Sequence, residues 1–242
     1  KWAQLLEVHD SFYIASDVFY TFLVENGCWW IRKQQQKRDM YLEGASQARR
    51  RILSGRFSRA MRVRFRQMLE YFGRAPIIVR SSSLLEDNFG NAFAGKYESV
   101  FCANQGAPEQ RLEEFLSAVK TVYASSMSED ALAYRARHGI LHLDEQMALL
   151  VQRVSGSNHG RLFFPHVSGV GFSFNPYRWS DDIDPEAGLL RLVMGLGTRA
   201  VDRSDDEYTR IIALNAPERR PEGTPGDQPL LAQHTVDAID LT

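Results

Sequence analysis

The sequence has little cysteine, 2 in 242 residues, and Cys28 and Cys102 stand far apart in unrelated contexts. That excludes a disulfide framework and a cysteine metal site, and it points to a reducing, cytoplasmic compartment. No apolar run approaches the roughly 20 residues that cross a bilayer, so no membrane partner is expected. Net charge is nearly absent, because 29 Lys plus Arg face 30 Asp plus Glu for a formal charge of -1. No global field therefore draws the chain to nucleic acid. Internal repeats of useful length, a dinucleotide fingerprint and a Walker loop are all missing. The start, Lys1-Trp2-Ala3-Gln4, has neither an initiator Met nor a signal peptide's apolar stretch, as expected of an excerpt from a longer chain.

What is present is globular composition, 44% hydrophobic and 11% aromatic, enough for a real core with subdomains. Residues 10–26 read as a short aromatic strand running into a helix capped at Ser16 or Asp17 and stopped by Gly27. From Ile31 to Phe72 apolar residues recur at helical spacing. Within that stretch Arg49, Arg50, Arg51, Arg56, Arg59, Arg62, Arg64 and Arg66 form a run of positive charge with two readings, a solvated helix face or an anion or nucleic-acid patch.

After Pro76 the texture changes. Ile77-Ile78-Val79 reads as a buried strand that delivers Arg80-Ser81-Ser82-Ser83 at its carboxyl end, and a loop from Glu86 to Gly95 leads to a second strand at Tyr97–Phe101. Residues 108–137 are helical by their stripe of Leu112, Phe115, Leu116, Val119 and Val122. Residues 147–154, 167–174, 189–194 and 208–214 supply further strands. Residues 217–229 carry four prolines and two glycines among charges and read as a linker. The organisation is thus α+β: a helical N-terminal subdomain over 1–75, a binding core over 76–216, and a linker with a truncated C-terminal element over 217–242.

Arg80 is the first candidate for chemistry. A guanidinium after an apolar strand, followed by three serines, offers fixed donors to an anionic ligand, and the competing reading pairs it with Glu86 or Asp87. The small residues around Gly90 and Gly95 would let backbone amides approach phosphates. His138 and His142 are four apart, but Gly139 interrupts them and no third ligand is evident, so no metal site is expected.

In order along the chain, Val79-Arg80-Ser81-Ser82, Glu86-Asp87, Phe93-Ala94-Gly95, Tyr123-Ala124-Ser125-Ser126, Ala133-Tyr134-Arg135, Val151-Gln152-Arg153-Val154, Ser168-Gly169-Val170-Gly171-Phe172-Ser173 and Gly195-Leu196-Gly197 make a pattern. It resembles the N-terminal ATP-grasp nucleotide-binding domain of the phosphoenolpyruvate synthase and pyruvate phosphate dikinase family, which includes rifampin phosphotransferase and glucan water dikinase. Lys1-Trp2-Ala3-Gln4-Leu5 is similar to the end of that family's Gly-Gly-Lys-x-Ala-x-Leu motif, whose lysine contacts ATP phosphates.

The resemblance implies an ATP-binding part of a dikinase-like phosphotransferase, in which ATP phosphates are positioned for transfer to a histidine on another domain and then to an acceptor. It implies Arg80 and Lys1 as phosphate-binding cations and Gly95 in the loop over the triphosphate. Gln152, Arg153 and Val154 become the hinge strand at the adenine, and Ser168 and Gly169 open the strand beneath the nucleotide. ATP and Mg2+ are the implied cofactors, the magnesium ligands lying outside this chain. The phosphohistidine and acceptor-binding domains of the full-length protein are the implied partners. Two departures stand out: Thr198 occupies the place of the family's Glu after Gly-Leu-Gly, and no Gln-Thr-Arg segment occurs before Thr242. They keep open an alternative, a catalytically inactive nucleotide-binding regulatory module of the same fold.

Overall fold

The structure is a computed structural model that describes residues 4, 6, 10–86, 97–201, 209–221 and 232–242. It divides into two compact units, 1–154 and 155–242.

In the first unit, β1 (Ser11–Ile14) leads into α1 (Ser16–Glu25), α2 (Trp29–Gln34), α3 (Ala45–Ser54) and α4 (Arg59–Phe72). Then come β2 (Ile77–Ser83), β3 (Ser99–Cys102), α5 (Pro108–Ser125), α6 (Glu129–Arg137) and β4 (Met147–Arg153). The N-cap of α1 is Ala15 with no side-chain cap, rather than Ser16 or Asp17, because Ser16 is already helical and Asp17 accepts from the adjacent Val18 amide at 2.9 Å. Gly27 ends this turn at φ 66°, the left-handed conformation that glycine adopts without penalty. The helical pattern over 31–72 is realised as three helices, and 108–137 as two, the second begun by Ser128, whose side chain accepts from the Ala131 amide.

α4 buries Phe65, Met68, Leu69 and Phe72, the i, i+3, i+4, i+7 stripe of an amphipathic helix. Arg111 of α5 donates to its C-terminal carbonyls, Leu69 at 2.6 Å and Gly73 at 2.5 Å, supplying donors the helix end lacks. Asn104 donates to Gly73 and Ala75 carbonyls and so fixes the turn into β2. Four arginines of the run are tied to neighbouring groups: Arg62 pairs with Glu113 at 2.5 Å, Arg66 with Glu109 at 3.1 Å, Arg49 with Glu98 at 3.8 Å, and Arg51 donates to the Gly27 carbonyl.

The sheet of this unit has the order β1-β4-β2-β3, antiparallel throughout. One face packs on the helices. Ile77, Val79, Leu149 and Val151 meet Phe19, Phe22, Phe115 and Tyr123 in one core. The helices of 1–75 and the strands β2, β3 and β4 therefore share that core. The change of texture at 75/76 is a change of element type, while compactness divides the chain between Val154 and Ser155.

The second unit holds β5 (Ser157–His159), β6 (Leu162–Phe164), β7 (Ser168–Phe172), a 3-10 turn (Pro185–Ala187), β8 (Leu189–Val193), α7 (Thr198–Val201), β9 (Arg210–Ala213) and β10 (Ile239–Asp240). They form two three-stranded sheets, β10-β6-β5 and β7-β8-β9. The strands expected at 167–174, 189–194 and 208–214 are β7, β8 and β9, and the C-terminal element is an edge strand paired with β6. Among the described residues no helix is long and apolar enough to cross a membrane.

Candidate functional site

The other face of the first unit's sheet carries the candidate residues. Residues directly opposite in neighbouring strands project to the same side, so register fixes who shares a face. Arg80 stands opposite Leu150 on β4 and Ser99 on β3, and Tyr13 on β1 stands opposite Leu150 from the other side. The adjacent row runs Ser11, Gln152, Ile78, Phe101, and the next pairs Ser82 with Ala148. Alternation along each strand puts Ile77, Val79, Met147, Leu149 and Val151 into the core and leaves these residues outward, none fully buried, with Arg80 exposed and Tyr13 75% exposed.

The result is a half-apolar platform with one guanidinium near its centre, and among the described residues Arg80 has no hydrogen-bonding or ionic partner. Gln152 Nε2 donates to Ser11 Oγ at 3.2 Å. An apolar surface with a fixed cation is suited to a planar base attached to an anion. A groove of about 450 Å³ beside the edge of β1, lined in part by Phe12, Asp17, Met61 and Arg64, shares Tyr13 with the platform but includes neither Arg80 nor Gln152.

Three expectations need correction in detail. First, β2 continues through Ser83, so Arg80 lies mid-strand and Ser81, Ser82 and Ser83 pair with Leu149, Ala148 and Met147. Their backbone belongs to the sheet and offers no row of free amides. Two of the hydroxyls are also engaged, Ser81 donating to Glu86 at 2.8 Å and Ser83 to Glu145, while Ser82 shares the outer face with Arg80. Second, Glu86 binds Ser81 Oγ and the Ser83 amide; no ion pair joins it to Arg80 among the described residues.

Third, Gln152 and Arg153 are consecutive in a strand and so face opposite ways. The Arg153 side chain lies on the helix side, 3.2 Å from Asp10 and over the Phe72 ring at 5.7 Å. The Val154 amide donates to the Pro76 carbonyl at 2.9 Å, as part of the sheet's end. The structure brings Arg80 and Gln152 to one face and leaves Arg153 off it.

Behind the platform sits a buried polar cluster that the sequence pattern did not reveal. Glu145, 1% exposed, accepts from Ser83 Oγ, Tyr97 OH and Arg135 Nη2, and Arg135 is fully buried. Burial and the neighbouring carboxylate push the Tyr97 hydroxyl well above the usual tyrosine range, although Arg135 opposes them. Nearby, burial and the repulsion of Arg135 bring Arg32 down to about 10. The faint signal is an acidic residue two positions ahead of an apolar strand.

In the second unit Ser168 and Gly169 open β7 as expected, but both serve their own sheet. Ser168 Oγ donates to the Gly195 carbonyl at 2.7 Å. A Cβ at Gly169 would stand 2.2 Å from the Arg191 carbonyl oxygen, so only glycine fits there. Thr198, in the place of the expected Glu, donates to Asp237 at 2.5 Å, and Arg199 pairs with the same carboxylate at 3.0 Å. Burial raises the Asp237 carboxyl, but these hydrogen bonds outweigh it and hold its pKa below the ordinary 3.8.

Lys1, Asp87, Phe93, Ala94 and Gly95 lie outside the described residues. Among those described, no group of three or more His, Cys, Asp or Glu could hold a metal ion. His138 stacks on Tyr134 at 3.9 Å, with its ring nitrogen 2.9 Å from that residue's carbonyl.

The chain is similar to several known proteins. Phosphoenolpyruvate synthase of Deinococcus radiodurans is 29% identical over 208 residues, covering 81% of this chain and 24% of that protein. Phosphoenolpyruvate synthase of Escherichia coli (strain K12) is 29% identical over 232 residues, 88% of this chain and 27% of that one. The uncharacterized phosphotransferase YvkC of Bacillus subtilis (strain 168) is 29% identical over 211 residues, 86% of this chain and 21% of that one. The chain thus spans about a fifth to a quarter of the length of these relatives. Residues 2–220 match the family described as pyruvate phosphate dikinase, AMP/ATP-binding domain, and the chain belongs to that family.

Proposed function

We propose that this chain is the ATP-binding part of a phosphoenolpyruvate synthase or pyruvate phosphate dikinase-like phosphotransferase, an ATP-grasp module that holds ATP for transfer of a phosphoryl group to a histidine carried on another domain. The carrying observation is Arg80, exposed at the centre of an otherwise weakly polar sheet face, with Gln152 one row away. Phosphoryl transfer asks little covalent chemistry of the protein. It asks that the phosphates be placed and their charge offset. Arg80 does this as a guanidinium on a strand held on both sides, so its base cannot shift. Tyr13, Leu150 and Ile78 offer a flat, largely apolar surface to the base. Magnesium, where bound, would further offset phosphate charge.

Titration of ATP with magnesium into the chain and its Arg80→Ala variant tests the reading. Loss of a charged hydrogen bond costs about 1.5–3 kcal/mol, roughly ten- to a hundredfold or more in affinity. Binding that survives unchanged in Arg80→Ala overturns the assignment of Arg80. No binding by the chain or by the longer protein containing it overturns the nucleotide reading.

A second reading, a regulatory module that binds nucleotide without turnover, is favoured by Thr198, whose hydroxyl is engaged with Asp237 where the family's pattern places a carboxylate. ATP-dependent formation of AMP by the longer protein would exclude it.

A further inference from the structure

We propose that Glu145 is a positioning residue for the nucleotide-binding face, an inference that rests on the function proposed above. Its carboxylate gathers three parts of the chain that are remote in sequence: Ser83 at the end of β2, Tyr97 ahead of β3, and Arg135 on α6. Arg135 Nη2 also donates to Tyr97 OH at 2.5 Å, which closes the cluster. Ser83 lies three residues beyond Arg80 on the same strand. Ser83 and Tyr97 flank residues 87–96 in the sequence, so one side chain holds a residue on each side of them.

The support beneath Glu145 is itself fixed. Tyr20 OH donates to the Glu145 carbonyl at 3.2 Å, Arg32 Nη2 to the Leu143 carbonyl at 3.3 Å, and Gln36 Nε2 to Asp144 at 3.0 Å. Helices α1 and α2 thereby hold the residues from which the carboxylate projects.

Stability alone does not account for this arrangement. Removing a carboxylate and a guanidinium from water costs several kcal/mol each, and well-packed apolar side chains commonly serve a core as well or better. What an ionic cluster adds is direction. A carboxylate accepting from Ser83, Tyr97 and Arg135 fixes the position of each, whereas apolar contacts allow them to slide. The beneficiary is the place where the strand bearing Arg80 ends and the next segment begins.

The test uses Tyr97→Phe, which deletes one hydroxyl and keeps the ring, beside Glu145→Gln. Amide hydrogen exchange is read without nucleotide, and ATP titration is carried out separately. In Tyr97→Phe, exchange within 81–86 and 97–102 is expected to accelerate about tenfold, as a lost hydrogen bond to a buried charge would allow, with α5 unchanged. ATP affinity is expected to fall about tenfold, and the further loss on adding Arg80→Ala is expected to shrink, because a displaced guanidinium has less to lose.

A purely structural role would speed exchange throughout the unit and leave the Arg80→Ala effect at full size, which would overturn the proposal. Unchanged local exchange in Tyr97→Phe would also overturn it. Accelerated local exchange in a chain whose parent binds no ATP would overturn the proposed function and leave the anchoring of the two segment ends intact. If Glu145→Gln fails to fold, Tyr97→Phe carries the test.

Discussion

Tyr13 and Arg80 stand in one row of the outward sheet face, each directly across from Leu150. The ring and the guanidinium are separated by one strand, about 10 Å from backbone to backbone, which is the scale of a nucleoside with its first phosphates. Strand order makes this pair: β4 enters the sheet between β1 and β2, so residues distant in sequence meet across its Leu150.

Tyr13→Ala is expected to weaken ATP binding by about 1 kcal/mol, the low end of a lost base–aromatic stack, with no change in unfolding midpoint. The ring is 75% exposed and holds little of the core together. Paired titration and thermal unfolding check both halves of the statement.

Arg153→Ala is expected to leave ATP affinity unchanged and to lower stability by no more than about 1 kcal/mol, as a half-exposed ion pair does. Its partners, Asp10 and the Phe72 ring, are on the helix side of the sheet. An affinity loss comparable to that of Arg80→Ala would show that Arg153 reaches the nucleotide after all.

Gly169→Ala is expected to destabilise the second unit by about 1–3 kcal/mol through overpacking, since a methyl would meet the Arg191 carbonyl at 2.2 Å and the Leu192 side chain at 2.6 Å. Gly171→Ala makes the control. There the nearest atom is the flexible end of Leu190 at 3.3 Å, and chemical unfolding of the two variants should separate them clearly.

Asp237 titrates below its ordinary value of 3.8 because Thr198 and Arg199 bind its charged form. A depressed folded-state pKa contributes stability above the unfolded value, and that contribution is lost as pH falls below about 4. The stability difference between the parent and Asp237→Asn should therefore be constant near neutrality and shrink through that acid range. A difference independent of pH would remove the carboxylate's role.

Both thiols should be silent toward alkylating or disulfide reagents at neutral pH until the chain unfolds. Burial, with help from Glu114, pushes Cys102 up to about 12, and burial raises Cys28 against the pull of Arg51. Only thiolates react, so labelling in the folded chain would contradict their placement.

Much of this was legible in the residues. The strands on either side of the Glu86–Gly95 stretch and the long helix that begins at Pro108 follow from period and punctuation, because burial of one face imposes them, whereas the mid-strand place of Arg80 comes from the pairing of Ser81, Ser82 and Ser83 with β4. Facing was legible too, but only strand by strand. The rule of two separates Gln152 from Arg153 once a strand is accepted, yet which face lies open depends on where the helices pack. Neither Tyr13 nor Glu145 could be found from local pattern. The first gains its place from β1 pairing with β4, and the second from three partners contributed by remote segments. The strands β5 and β6, each three residues long, are too short to show a period at all.

The pairing of β10 with β6 sets an order of events during synthesis. Every strand of the first sheet has left the ribosome once Arg153 has, so that unit can close early. The small sheet of the second unit cannot, because Leu162 and Phe163 wait for Asp240 and Ile239. The Leu196 amide and Thr198 wait in the same way for Asp237. Contacts this far apart in sequence form slowly, and domains fold as units while the chain emerges. All four strands of the Arg80 platform are therefore synthesised before the edge partner of β6 exists.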